Sequence, residues 1–313
     1  MTNKRILSVI DPTTDEQPAM ERAAWLAKAL NAKLELFICD YDQYLAGGPL
    51  FDSKGLEKAR QSLLRNHRAR LEKRAEPLRA QGIEVEVDAR WGRPLDRGIV
   101  RKVVESQPIL VVKDTHYHPA LKRSLLSNTD WNLIRSCPAP LLLVKPREVA
   151  EAPVVLAAVD PLHEHDKPAE LDRAILSFAK EMTQVLGGVL HVIHSFDVGP
   201  TLAVISGTPV ATTAVPIEEI TAKAREEHGK ALSELVADFG VPPENVHLEQ
   251  GVAHDVLVEQ AAARNADFVV MGAVSRSGLQ RIFVGSTAER ALDRLPCDLI
   301  IIKPPGFQPP ERD

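Results

Sequence analysis

The chain carries one pattern twice, and this internal repeat limits the folds open to it more than any single motif does. Residues 111–146 align without a gap with residues 269–304 at a constant offset of 158, and nine of the 36 aligned positions are identical. The start of the chain repeats as well, since LSVIDP at 7–12 matches LAAVDP at 156–161. The repeat predicts two homologous domains, residues 1–146 and 154–304, joined by a linker at 147–153 and followed by a C-terminal tail at 305–313.

Each half alternates short apolar strands with helices. The predicted strands are 5–11, 34–39, 83–89, 109–113 and 140–145 in the first half, and 154–160, 190–194, 246–250, 267–271 and 298–303 in the second. Continuous Val, Ile and Leu runs of this kind are typical of strands that are buried on both faces of a parallel sheet. The sequence therefore predicts an α/β fold with two tandem, doubly wound, parallel five-stranded sheets of the Rossmann-like or flavodoxin-like type.

Composition excludes several classes of protein. The formal net charge of −5 does not favour a nucleic acid or an anionic membrane as a partner. No apolar run approaches the length of a membrane span, and the start, MTNKRILSVIDP, leads into a strand rather than a secretion signal. We therefore expect a cytoplasmic protein without membrane insertion. Three scattered cysteines without CxxC spacing predict reduced, structural thiols: Cys39, Cys137 and Cys297.

The stretch GAVSRSGLQRIFVGST at 272–287 has the composition of a phosphate-binding loop. Gly272 ends a predicted strand, and Gly285-Ser286-Thr287 opens a predicted helix, so backbone N–H groups, two hydroxyls and the positive end of a helix dipole meet at one point. The alternative is that the glycine is a turn residue and the hydroxyls are an ordinary N-cap. The aligned first-half residues are Asp114, Ala120, Ser127 and Asn128, which predicts that the first half does not bind a phosphate in this manner. Neither a Walker motif nor GxGxxG occurs in the chain.

These residues resemble the universal stress protein family in its tandem form. The resemblance covers essentially the whole chain and is carried by Asp160, by the block 271–287, by DLIIIKP at 298–304, and in the first half by THYH at 115–118 and NTDWNLIRSCPAP at 128–140. Nucleotide-binding members of the family carry G-x-x-G, nine further residues and then G-(S/T). Gly272, Gly285 and Ser286 fit that pattern, whereas Ser275 stands in place of the second glycine.

The resemblance implies a non-catalytic stress-response protein that binds a small ligand, with ATP as the nucleotide expected. It implies that Asp160 holds the ribose or adenine side, that Met271 and Gly272 flank the nucleoside, and that Gly285, Ser286 and Thr287 take the phosphates. Some members are linked to tolerance of DNA damage. Single-domain relatives pair as dimers, so one chain is expected to resemble a covalent pseudo-dimer with a pseudo-twofold relation between its halves, and a homodimer of whole chains stays open.

Three further hypotheses stay open, one of them a purely structural or protein-interaction role. The segment 199–216, GPTLAVISGTPVATTAVP, is largely apolar, so it is either a lid or the lining of a pocket for an apolar, lipid-like ligand. A weak ATPase is the second alternative. The motifs His116-x-His118 and His163-x-His165, with Asp114 or Asp166 as third ligand, are interpreted as solvated histidines rather than metal sites. The long charged helices, about 55–80 and 217–239, are interpreted as solvated faces and not as sites for direct nucleic-acid binding.

Overall fold

The chain folds into two compact units. The computed structural model describes residues 4–47, 53–118, 123–162, 169–199, 217–273 and 293–309. The first unit comprises the residues up to Glu148 together with Asp298–Ile301 and the segment from Gly306 onward, and the second comprises Val149–Cys297 together with Ile302–Pro305.

The first repeat contains the elements expected for one domain of this class. Its elements are β1 Arg5–Val9, α1 Pro18–Leu30, β2 Lys33–Asp40, a 3-10 helix Gln43–Leu45, α2 Ser53–Ala80, β3 Val85–Trp91, α3 Leu95–Ser106, β4 Leu110–Asp114, β5 His116–His118, β6 Arg123–Leu125, α4 Asn128–Ser136 and β7 Leu141–Val144.

The second repeat follows the same order of elements. They are β8 Val154–Ala158, α5 Ala169–Leu186, β9 Val189–Phe196, α6 Ile217–Val236, the 3-10 helices Ala237–Phe239 and Pro243–Asn245, β10 Val246–Gln250, α7 Ala253–Ala263, β11 Phe268–Gly272 and β12 Asp298–Ile302.

In the first unit the strand order is β3-β2-β1-β4-β7-β12. The first five strands are parallel, and β12 pairs antiparallel with β7, with Leu299 opposite Leu143 and Ile301 opposite Leu141. In the second unit β10-β9-β8-β11 are parallel. Strand order reverses between β1 and β4 and again between β8 and β11, and ligands of doubly wound sheets bind at such a switch point. The predicted α/β fold with doubly wound parallel sheets is confirmed.

The elements form where the sequence pattern places them. Most strand residues are buried, and α5 turns the apolar stripe Leu171, Ile175, Leu176, Ala179 and Met182 inward. This helix ends before Gly187, whose φ of 65° lies in the left-handed region that favours glycine.

All three cysteines are buried thiols that form no disulfide, as predicted. Burial raises the pKa of the Cys39 thiol to about 11, so this thiol stays protonated and unreactive at neutral pH. Among the residues described, no helix combines the length and the apolar composition needed to cross a bilayer.

Candidate functional site

The switch point of the second unit brings together three of the predicted site residues. β8 and β11 are neighbours, with Ala158 opposite Met271, so the residues that follow these strands share one carboxyl edge of the sheet. Asp160 follows β8, while Met271 and Gly272 end β11. Ser275, Gly285, Ser286 and Thr287 lie outside the described residues, so their part in the site stays a prediction.

The turn that carries Asp160 is anchored by a buried carboxylate. The Asp160 N–H donates to Asp172 Oδ1 over 3.2 Å, and Asp172 on α5 has no exposed surface, whereas Asp160 is half-buried. Sequence reasoning missed Asp172. A signal existed, because an acidic residue three positions before Ile175 lies on the apolar stripe of an amphipathic helix, where a carboxylate requires a partner.

Gly272 has a packing reason to be glycine. A Cβ added at this position would lie 2.6 Å from Leu171 Cδ2 and 3.2 Å from Ile175 Cδ1, so α5 approaches β11 closely only because no side chain stands there. Gly272 thus has a packing role that needs no ligand, and its predicted contact with a nucleoside stays a proposal.

The equivalent edge of the first unit is filled by its own side chains. Asp114, aligned with Gly272, accepts a hydrogen bond of 2.6 Å from the N–H of Ala19 in the first turn of α1. The buried Gln17 side chain donates to the carbonyls of Asp11 and Thr14, 2.8 Å each, and accepts from the Asp11 N–H. Burial raises the pKa of Asp114 to about 7. A carboxylate at this place supports the prediction that the first half does not bind a phosphate in the same manner.

A histidine pair lies beside the second-unit switch point. His194 Nε2 is 2.7 Å from His228 Nδ1, and His194 Nδ1 is 3.1 Å from the carbonyl oxygen of Val159. Both imidazoles are buried, and Phe196 stacks on His228. Sequence reasoning did not single out this pair, because the two residues lie 34 positions apart and only the tertiary fold brings them together.

Of the two H-x-H motifs, the structure describes the backbone of the first and not that of the second. His116 and His118 lie on β5, which pairs with β6 in a two-stranded antiparallel ribbon, so the predicted extended backbone is present. Asp114, their suggested third ligand, is already bonded to Ala19. His163, His165 and Asp166, like nearly all of the segment 199–216, lie outside the described residues. Where side chains are described, no group of three or more His, Cys, Asp or Glu residues is arranged to hold a metal ion.

Comparisons with known proteins agree with the fold and the repeat. The model of the "Universal stress protein family" matches residues 2–145 and again residues 154–303. Universal stress protein E of Escherichia coli (strain K12) is 30% identical over 309 residues, which cover 98% of this chain and 96% of that protein. The universal stress protein E homologue of Haemophilus influenzae is 24% identical over 314 residues, which cover 97% of this chain and 98% of that protein.

Solved structures show the same architecture over nearly the whole length. A functionally unknown protein from Pseudomonas aeruginosa PAO1 is 25% identical with a TM-score of 0.74, and the match covers 97% of this chain and 93% of that one. A universal stress protein from Archaeoglobus fulgidus DSM 4304 is 17% identical with a TM-score of 0.68, covering 97% and 99%, and this likeness concerns the fold alone. With both repeats matched and a 30% identical full-length relative, the chain belongs to the universal stress protein family as a tandem member.

Proposed function

We propose that this chain is a non-catalytic stress-response protein whose second unit binds a small ligand, ATP in the first instance, at the carboxyl edge of β8 and β11. Membership of the universal stress protein family supports the stress-response role. The ligand and the absence of catalysis are our inference from the site.

One observation carries the proposal, namely the difference between the two equivalent edges. In the first unit the Asp114 carboxylate accepts a hydrogen bond from the Ala19 N–H, and the Gln17 side chain donates to two carbonyls of the loop after β1. In the second unit Gly272 has no side chain, and the half-buried Asp160 follows β8 at the same edge. The second unit therefore has no carboxylate at the position of Asp114, and the switch point is where ligands of this fold bind.

The proposed roles follow from the chemistry of each group. The Asp160 carboxylate accepts hydrogen bonds from ribose hydroxyls or an adenine amine. The backbone of Met271 and Gly272 borders the nucleoside. Gly285, Ser286 and Thr287 take the phosphates with N–H groups and hydroxyls at the start of a helix.

Isothermal titration of the full-length protein with ATP tests this proposal. We expect Gly285→Ala to weaken binding by about tenfold or more because a methyl group crowds the phosphates, whereas Ser275→Gly leaves affinity equal or higher. Asp160→Asn weakens binding, and the matched change Asp11→Asn, at the equivalent place in the first unit, does not. Unchanged affinity in the Gly285 variant contradicts the phosphate cradle.

An apolar, lipid-like ligand is the second candidate for the same unit. The observation in its favour is that Leu171 and Ile175 side chains fill the space beside Gly272, so one wall of this edge is apolar. Native mass spectrometry of freshly purified protein, with extraction of what is bound, separates the two candidates. A nucleotide supports the first and an amphipathic molecule the second.

Three further expectations, and one alternative in the form of a weak ATPase, accompany the proposal. A weak ATPase activity predicts phosphate release that the Gly285 variant loses. The protein is expected in the cytoplasm, and two chains pairing as a homodimer can be measured by light scattering. With a net charge of −5, direct binding to nucleic acid is not expected.

A further inference from the structure

The histidine pair has a defined hydrogen-bond direction. A carbonyl oxygen only accepts, so His194 Nδ1 carries the proton that it shares with Val159 O at 3.1 Å. With that proton on Nδ1, His194 Nε2 can accept, and His228 Nδ1 is then the donor over 2.7 Å. We call His228, His194 and the Val159 carbonyl the histidine relay.

The relay ends one residue before Asp160. Both polar groups of the peptide between Val159 and Asp160 are therefore bonded. His194 donates to its carbonyl oxygen, and Asp172 accepts from its N–H at 3.2 Å. His194 and His228 are 3% and 7% exposed, so water does not compete for these bonds. The backbone that aims the Asp160 carboxylate is fixed by buried groups from β9, α5 and α6.

The first unit provides an internal control. The strand registers place Phe37 opposite Val9 and Ile193 opposite Ala158, so the position of His194 is taken by Ile38 in the first unit. Ile38 is buried and offers no hydrogen bond to the turn after β1. A histidine from the long helix is present there too, but His67 Nε2 bonds to Asp40 at 2.7 Å. Among the described residues, the second unit has the relay and the first does not.

We propose that His194, supported by His228, is a positioning residue for the ligand site of the second unit and acts through the turn at Asp160. This inference rests on the proposed function for its ligand readout. His194 does not touch the ligand. It restricts the turn so that the Asp160 carboxylate is in its binding orientation before the ligand arrives, which lowers the entropy lost on binding.

The test uses full-length variants with ATP as the probe. His194→Ile introduces the residue that the first unit has at this position, namely Ile38. The apolar side chain suits a buried position but removes the hydrogen bonds to Val159 and His228. His194→Gln keeps both, because its amide N–H can donate to Val159 O while its carbonyl accepts from His228. We expect H194I to weaken ATP binding about five- to tenfold and to speed hydrogen exchange at the Asp160 N–H, whereas H194Q stays within about twofold of the parent.

A double-mutant cycle separates positioning from a general structural role. If His194 acts through Asp160, H194I adds less than about twofold to the effect of Asp160→Asn, while independent effects multiply. Parent-like affinity and exchange in H194I overturn the proposal, as does an H194Q variant as weak as H194I. If H194I does not fold, His228→Leu replaces it, since it removes only the donor to His194.

The two proposals fail differently. If the parent protein does not bind ATP, the nucleotide function falls, and exchange at the Asp160 N–H alone decides the relay. Faster exchange in H194I that H194Q restores supports it, and unchanged exchange overturns it. If the parent binds ATP and H194I binds equally well, the function stands and the relay falls.

Discussion

At the scale of single residues, the two repeats have different side chains at their switch points. Gly272 and Asp114 occupy aligned positions, yet one admits a helix against the sheet and the other accepts a hydrogen bond from a helix N-terminus. Gly272 matches a ligand-binding motif, yet close packing against α5 already requires a glycine at this position. Substitution of Gly272 is for this reason a test of stability before it is a test of binding.

We expect Gly272→Ala to destabilise the protein by about 1–3 kcal/mol, because the new methyl group would overlap the Leu171 side chain. The measurement is the free energy of unfolding from urea titration. Gly229→Ala is the matched control, because its Cβ would lie 3.5 Å from Leu248 in ordinary contact within α6. It should stabilise by about 0.5–1 kcal/mol through helix propensity. Equal effects of the two substitutions would contradict the packing argument.

At the scale of elements, β12 is held in the first unit by a buried ion pair. Arg22 on α1 lies 2.9 Å from Asp298, which is fully buried and also accepts from the Lys145 N–H at 2.9 Å. Arg22 additionally donates to the Arg147 carbonyl. Arg22 and Asp298 lie 276 positions apart, so a long-range contact holds β12.

Asp298→Ala leaves the Arg22 guanidinium buried without its carboxylate, and we expect a loss of about 3–5 kcal/mol in unfolding free energy. The double variant Arg22→Leu with Asp298→Leu removes both charges and should recover most of that loss. Urea denaturation of the two variants beside the parent gives the comparison. A double variant less stable than the single one would show that the pair itself, and not the orphaned charge, stabilises β12.

Element by element, the sequence predicted most of the fold. The predicted strand 246–250 has the observed bounds Val246–Gln250, and the others agree within about two residues, because apolar runs and flanking glycines are local signals. The antiparallel partner of β12 was not predictable, since an apolar strand pairs equally well in either direction. Of the candidate site, the switch-point residues followed from the strand ends, while Asp172 and the histidine relay depend on long-range contacts.

At the scale of the whole molecule, the two units carry titratable groups whose pKa values are shifted in opposite directions. In the first unit, burial raises the pKa of Asp114 to about 7 and that of Asp298 to about 6. In the second, burial and the neighbouring Arg264 lower the pKa of His247 to about 4, and that of His191 is lowered by the same causes. Linkage converts these shifts into opposite dependences of stability on pH.

The first unit should lose stability as pH rises from about 4 to about 7, because its folded carboxyls still hold protons that the unfolded chain has released. The second unit should lose stability as pH falls from about 6.5 to about 4, because His247 binds a proton in the unfolded chain but stays neutral in the folded one. All three tryptophans lie before residue 148, so their fluorescence in urea follows the first unit, and hydrogen exchange follows the second.

Asp114→Asn provides the control for this prediction. The variant should flatten the pH dependence of the tryptophan transition between about pH 4 and 7 and leave hydrogen exchange in β9 and β10 unchanged. A tryptophan midpoint that rises with pH in the parent protein would contradict the assignment of a raised carboxyl pKa.

The place of β12 has a consequence for synthesis on the ribosome. Residues up to Glu148 emerge early, yet the strand that pairs with β7 comes from Asp298–Ile301, about 150 residues later. Until then the nascent first unit presents the unpaired edge of β7, a strand of four buried apolar residues. The first half to be translated is thus completed only after β12 has been synthesised, and until then its open edge is exposed to pairing with another polypeptide.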